Sequence, residues 1–130
     1  MEDVKRKIEL EYTILEFYDD YVISRVREGV VFSKKQVRDL VEVCSNFFEG
    51  RDFVYISERV TNYNVDPTIY LNLDLVENLA GIAIVSSKTS SLMMAGFEQN
   101  FSKVPYGIFL ELEEALDWKD EVINNKKAGL

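Results

Sequence analysis

Histidine is absent from this 130-residue chain, and cysteine occurs once, as Cys44. Tetrahedral zinc is held by cysteine and histidine sets that one thiol cannot supply. Catalytic triads built on histidine lose their base. An intrachain disulfide needs two cysteines, so the lone thiol fits a reducing, cytoplasmic compartment. Cys44 falls in the apolar stripe Val37, Leu40, Val41, Cys44, Phe47, which marks a small core side chain rather than a nucleophile. Basic charge is also scarce: 15 Lys and Arg face 23 Asp and Glu, for a net charge of −8. That balance repels a phosphate backbone and argues against nucleic acid as a partner. It equally disfavours anionic membrane surfaces. Lys34, Lys35 and Arg38 cluster locally and read as a solvated helix face. No apolar run approaches the ~20 residues of a membrane span, and Met1 to Arg6 carries no apolar signal core, so no membrane insertion is expected.

What is present is ordinary globular material, 47% hydrophobic and 29% charged, sized for one domain over residues 1–130 with a frayed polar tail at 124–130. Ile8 to Tyr18 alternates apolar and polar residues, Asp19-Asp20 interrupts, and Tyr21 to Val26 resumes the pattern, which predicts an N-terminal β-hairpin. Ser33 with Gln36 is a capping box that opens a helix to about Phe48, with Gly50 at its left-handed end. Phe53 to Ile56 is an apolar run suited to a strand buried on both faces. Asp66-Pro67 then predicts a helix with Ile69, Leu73, Val76 and Leu79 or Ala80 inward and Gly81 at its end. Ile82 to Val85 reads as a strand. Ser90 or Ser91 caps a third helix carrying Leu92, Met93, Ala95, Gly96 and Phe97 to about Lys103, and Pro105 breaks it. Tyr106 to Leu110 forms the last strand. It runs into a helix with Leu112, Ala115, Leu116 and Trp118 on one face. The expected order is β-β-α-β-α-β-α-β-α: an α/β fold with about four helices and a mixed, mainly parallel sheet edged by the hairpin.

That order, ending in Phe109-x-x-x-Glu113-Glu114-Ala115-Leu116-x-Trp118, resembles the STAS-like proteins, the group containing the sporulation anti-sigma-factor antagonists. More closely it is similar to the free-standing SpoIIAA-like (STAS/SEC14-type) bacterial proteins. In the phosphorylated antagonists, a Ser or Thr in an Asp-Ser-x-Gly-like turn opens a helix, and its phosphorylation by a partner kinase switches binding to the anti-sigma factor. The matching stretch here, Ser57 to Thr68, has no Asp-Ser-x-Gly and places Asp66-Pro67 at the helix start.

Two loops are the candidate sites. In the first, Thr61 and Thr68 are candidate phosphoacceptors and Tyr63 a candidate partner anchor, while Asn62, Asn64 and Asp66 also suit plain turn and capping bonds. In the second, Ser86-Ser87-Lys88-Thr89-Ser90-Ser91 joins hydroxyls, a lysine and a helix N-terminus, a combination that cradles anions. It lacks the glycines and the Gly-Lys-Ser/Thr ending of a nucleotide loop. Leu92 to Phe97 reads first as a packed helix, and as a protein interface should Met94 prove exposed. Glu113 and Glu114 are adjacent and point to different sides of a helix. No catalytic arrangement, metal site or cofactor motif is legible. The expectation is a non-enzymatic protein-interaction module in a bacterial regulatory pathway, with an unidentified protein partner and a homodimer left open. The alternative is a small-molecule or lipid carrier with a pocket between helix 91–103 and the sheet.

Overall fold

The structure is a computed structural model that describes residues 3–130; Met1 and Glu2 of the N-terminal segment lie outside the described residues. Among the described residues, eight strands and three α-helices follow in the order β1 (Arg6–Glu9), β2 (Thr13–Phe17), β3 (Tyr21–Val26), β4 (Val31–Phe32), α1 (Lys34–Phe48), β5 (Phe53–Glu58), β6 (Asn64–Val65), β7 (Leu79–Val85), α2 (Thr89–Glu98), β8 (Tyr106–Phe109) and α3 (Leu112–Lys127). Six strands form one sheet in the order β1-β2-β3-β5-β7-β8. The pairs β1–β2 and β2–β3 are antiparallel, and β3–β5, β5–β7 and β7–β8 are parallel. The expected mixed, mainly parallel α/β sheet is therefore present.

The N-terminal segment differs in one respect. The alternating run Ile8 to Tyr18, expected as a single strand, folds back on itself, with Glu9 opposite Ile14 and Leu10 N–H bonded to Thr13 O at 2.8 Å. Glu11-Tyr12 makes that turn without the Gly or Asn that marks a hairpin in sequence. The expected turn at Asp19-Asp20 holds, closed by Tyr18 N–H to Tyr21 O at 2.9 Å. One edge of the sheet is thus β1, carrying Arg6, Lys7 and Glu9, charges that blunt pairing with another chain.

The larger difference lies between β5 and β7. The helix expected from Asp66 to Gly81 is replaced by two short 3₁₀ turns, Pro67–Tyr70 and Leu73–Leu75. Asp66 does cap the first of them, accepting from Thr68 N–H at 3.0 Å and Thr68 Oγ1 at 2.7 Å. Those bonds from Thr68, side chain first, hold the Asp66 carboxyl below the usual range. The apolar period was right, but Leu79-Ala80-Gly81 is drawn into β7, whose seven residues are all buried. Asn72, Asp74 and Asn78 in the remainder favour local turns over a helix. Gly81 accordingly ends no helix: it sits mid-strand, where an added Cβ would come within 3.0 Å of Trp118 Cη2.

A second, two-stranded sheet, absent from the sequence reading, pairs β4 with β6 in parallel. Gly29 N–H to Asn62 O at 2.8 Å and Asp66 N–H to Phe32 O at 3.1 Å extend it. It clamps the loop before α1 to the loop after β5. Ser33 caps α1 as expected, its N–H and Oγ donating to Gln36 Oε1 at 3.0 and 2.6 Å, and Glu49 with Gly50 ends it in left-handed conformation.

Two cores flank the sheet. One gathers Leu15, Phe17, Leu40, Cys44, Phe48, Ile82, Ile84 and Ala95, under α1, the 3₁₀ turns and α2. The other gathers Ile23, Val54, Ile56, Ala83, Ala115 and Ile123, under α3. Strand order advances steadily from β3 to β8, and crossovers of one hand then place every connection on the same face. Among the described residues, α3 is the only helix over the second face. It opens with Glu111 N–H bonded to Glu114 Oε1 at 3.0 Å and ends at Lys127, so residues 124–127 of the expected frayed tail are helical.

Cys44 is a core residue, 3% exposed, and burial pushes its thiol from 9.0 up to about 12. A folded value above the unfolded one means the stabilisation is intact below pH 9.0 and is lost as pH climbs toward about 12. Native protein at neutral pH is therefore expected to resist an aromatic disulfide reagent and to react stoichiometrically once unfolded in urea. Rapid labelling of the native chain would contradict this packing.

Candidate functional site

The carboxyl ends of parallel strands place loops side by side, and here Glu58 of β5 lies opposite Val85 of β7. Arg59 N–H bonds Val85 O at 2.8 Å and Ser86 Oγ donates to Arg59 O at 3.1 Å, so the two exits are stitched together. Between them opens a cleft of about 250 Å³, lined by Gly29, Arg59, Thr61, Asn62, Tyr63, Asn64, Ser90, Ser91 and Met94. The β4–β6 sheet fixes its outer wall and the start of α2 its inner one.

Four residues singled out from sequence, Thr61, Tyr63, Ser90 and Ser91, thus share one cleft, and Thr68, Ser86, Ser87, Lys88 and Thr89 lie outside its lining. Thr61 Oγ1 donates to Val26 O at 2.6 Å. Tyr63 OH and Ser57 Oγ are 3.1 Å apart. Ser86 is buried and also accepts from Lys88 N–H at 3.1 Å. Ser87, Thr89 and Ser90 are exposed, and Ser91 is buried. Neither Ser90 nor Ser91 caps α2: Lys88 occupies the cap position, and its side chain makes no capping bond.

Beneath the cleft lies a network that the sequence reading missed. Arg59 donates to Glu98 through Nη1 to Oε2 at 3.0 Å and Nη2 to Oε1 at 2.5 Å. Tyr70 OH and Tyr106 OH donate to Glu98 Oε1 at 2.6 and 3.3 Å. The side chains of Arg59 and Glu98 are only 4% and 3% exposed. Burial alone would lower the Arg59 value, but the Glu98 hydrogen bonds and neighbouring charges drive it upward. Burial raises Tyr70 and Tyr106, and the Glu98 charge adds to both. The Arg59 guanidinium lies under the Tyr63 ring, 5.5 Å from its centroid, and its Nε has no hydrogen-bond partner. Arg59 and Glu98 are 39 residues apart, and each alone reads as a surface charge. The available signal was the helical spacing of Ser91, Ala95 and Glu98, which puts the carboxylate on the same face as a buried alanine.

Arg59 and Tyr63 also border an apolar cavity of about 60 Å³ that extends between α1, the 3₁₀ turns and the sheet, against Leu40, Ile69, Leu73 and Ile82. This apolar cavity lies under α1, whereas the helix 91–103 of the expected pocket contributes Ser91 and Met94 to the cleft of about 250 Å³. At about 60 Å³ the apolar cavity is well below the ~150 Å³ that admits benzene, too small for a lipid chain.

Helix α2 is inverted relative to an ordinary surface helix. It buries Ser91, Ala95 and Glu98, and exposes Met93 (72%), Met94 (40%) and Phe97 (59%). The burial of a charged network on the sheet side leaves the apolar residues facing out. Among the described residues, no group of three or more Cys, Asp or Glu is placed to hold a metal ion, and no helix is long and apolar enough to cross a membrane.

No protein-family model matches this chain, and no curated protein matches it. Among solved structures it is similar to an uncharacterised protein of the DUF3478 family with a SpoIIAA-like fold, from Shewanella loihica PV-4. The TM-score is 0.56 at 16% identity, over 82% of this chain and 91% of that one. The SpoIIAA-like fold is thereby shown; at this identity the likeness speaks to fold alone.

Proposed function

We propose that this chain is a non-enzymatic protein-interaction module that docks a protein partner on the exposed face of α2 and the adjoining cleft. The observation that carries this reading is the inversion of α2, which holds Met93, Met94 and Phe97 in solvent beside Thr61, Tyr63, Ser90 and Ser91. Large apolar side chains clustered next to a polar rim are the composition of a docking surface, and methionine adapts to the partner's contour. The SpoIIAA-like fold supports a regulatory role of the anti-sigma-antagonist kind, in a bacterial cytoplasm. The small size of the apolar cavity weighs against the lipid-carrier alternative.

A photo-crosslinker in place of Met93 is expected to yield one discrete adduct in host lysate, competed by untagged protein. Adding Phe97→Glu should abolish the adduct while leaving the thermal midpoint within a few degrees, because surface changes of this kind cost under about 0.5 kcal/mol. No competed adduct at position 93, or one untouched by Phe97→Glu, would end the docking reading.

A further inference from the structure

We infer that the outer edge of β8 is a self-association surface, on which a second copy of this chain adds its own β8 in antiparallel pairing. This contact is separate from the α2 face above. The six-stranded sheet ends in β1 on one side and β8 on the other, and the two edges are defended unequally. Three of the four residues of β1 are charged, which suits an edge that resists pairing. The β8 edge is the opposite. From Val104 to Leu110 no residue is charged, and Leu110 is 58% exposed.

The backbone of β8 is poised for a further strand. Ile82 N–H bonds Pro105 O at 2.8 Å and Ser86 N–H bonds Phe109 O at 3.1 Å. Backbone groups alternate in direction along a strand, so residues 105, 107 and 109 serve β7 while Tyr106 and Ile108 aim theirs outward. Gln99 Nε2 donates to Tyr106 O at 3.0 Å, and among the described residues no strand lies against Ile108. Gln99 is exposed, so its amide can yield that carbonyl to an incoming strand. Tyr106 meets Tyr70 edge-on at 5.5 Å, and Phe109 lies 5.5 Å from Trp118. Aromatic contacts thus hold the strand extended beforehand, and pairing orders little new backbone.

The charges that bracket this neutral strand select the occupant. Lys103 stands before it and Glu111, Glu113 and Glu114 after it, all exposed. Antiparallel pairing about a two-fold axis at Ile108 turns each Lys103 toward the acidic end of the other copy. Such a contact is isologous and closes as a dimer. Parallel pairing would set like charges together, and β8 against β1 would leave open ends that build fibres. A strand of four residues makes a small interface. The dimer is therefore of the weak class, with a dissociation constant of about 50 μM.

The test is sedimentation equilibrium of the full chain from about 10 μM to about 1 mM, with amide exchange on the same samples. The mean mass should rise from 15.1 kDa toward twice that value. Exchange at the Ile108 amide should slow about threefold between about 50 μM and 1 mM, with the amides of β1 unchanged. Ile108→Pro removes an outward donor that β7 does not use, a change that edge strands accept, and should abolish the dimer. Leu110→Lys alters an exposed side chain, leaves the fold intact and should weaken the dimer by about tenfold or more, so it decides the matter should Ile108→Pro not fold. A monomer at every concentration, or a dimer that Leu110→Lys leaves undiminished, overturns the inference. A dimer lost in Phe97→Glu but kept in Leu110→Lys would place the second copy on α2 and equally overturn it.

Discussion

Replacing Glu98 by leucine is expected to remove about 3–5 kcal/mol of stability, because it strands a buried guanidinium without its counter-charge. Arg59 and Glu98 are 4% and 3% exposed, so solvent does not screen the loss. Tyr70 and Tyr106 lose their shared acceptor in the same step. Total stability for a domain of this size is about 5–15 kcal/mol, so the variant sits near the edge of folding. With a urea slope of about 1–3 kcal/mol per molar, the midpoint should fall by at least ~1 M. The paired change Arg59→Met with Glu98→Leu should recover most of that fall, since an apolar pair of similar volume replaces a buried ion pair at little net cost. A single-variant loss below about 1 kcal/mol would mean the pair is hydrated in solution. A double variant as unstable as the single one would show that the tyrosines, not the stranded arginine, set the cost.

Phe48→Ala is expected to cost a similar ~3–5 kcal/mol by a different route, the opening of a cavity. Phe48 is fully buried at the end of α1 and stacks on Phe53 at 4.3 Å and 9°. Phe47 meets it edge-on at 5.0 Å and Phe17 lies 5.8 Å away. Its removal unseats an aromatic cluster that joins α1 to both the antiparallel and parallel parts of the sheet. Phe97→Ala is the matched control: the same atoms are deleted from a ring that is 59% exposed, at an expected cost under about 1 kcal/mol. Equal losses at the two positions, measured by urea denaturation, would contradict the packing described for α1.

The sequence patterns that survive into the structure are those in which local and tertiary preferences agree. Ser33 with Gln36, Asp19-Asp20, the strand at Phe53 and the last helix all combine a boundary signal with matching burial. Between Asp66 and Gly81 the two conflict. The capping signal and the apolar period favour a helix, but an inner strand has a stronger claim on Leu79-Ala80-Gly81, and what remains carries Asn72, Asp74 and Asn78, which favour local turns over a helix. The turn at Glu11-Tyr12 was illegible because it uses no residue that favours turns. At the cleft, the loops were legible from their place after buried strands, and Thr61, Tyr63, Ser90 and Ser91 do converge. The Arg59–Glu98 pair was not, since two charges 39 residues apart become neighbours only once the loop after β5 and the end of α2 are brought together by the tertiary fold. The apolar run Leu92 to Phe97 likewise suggested a packed helix until that pair claimed its inner face.

The lopsided cover of the sheet has a consequence for how the chain is made. Every crossover up to β8 lies on one side, and the other side waits for Ala115, Trp118, Val122 and Ile123 of α3. On the ribosome, synthesis runs at about 5–20 residues per second, and elements fold as they emerge. The strands can assemble and be roofed on the first side, yet Val54, Ile56 and Ala83 stay open to water until α3 has left the exit tunnel. For those seconds the nascent domain is half-finished and adhesive, and the stretch from Leu112 to Lys127 is the segment whose arrival closes it.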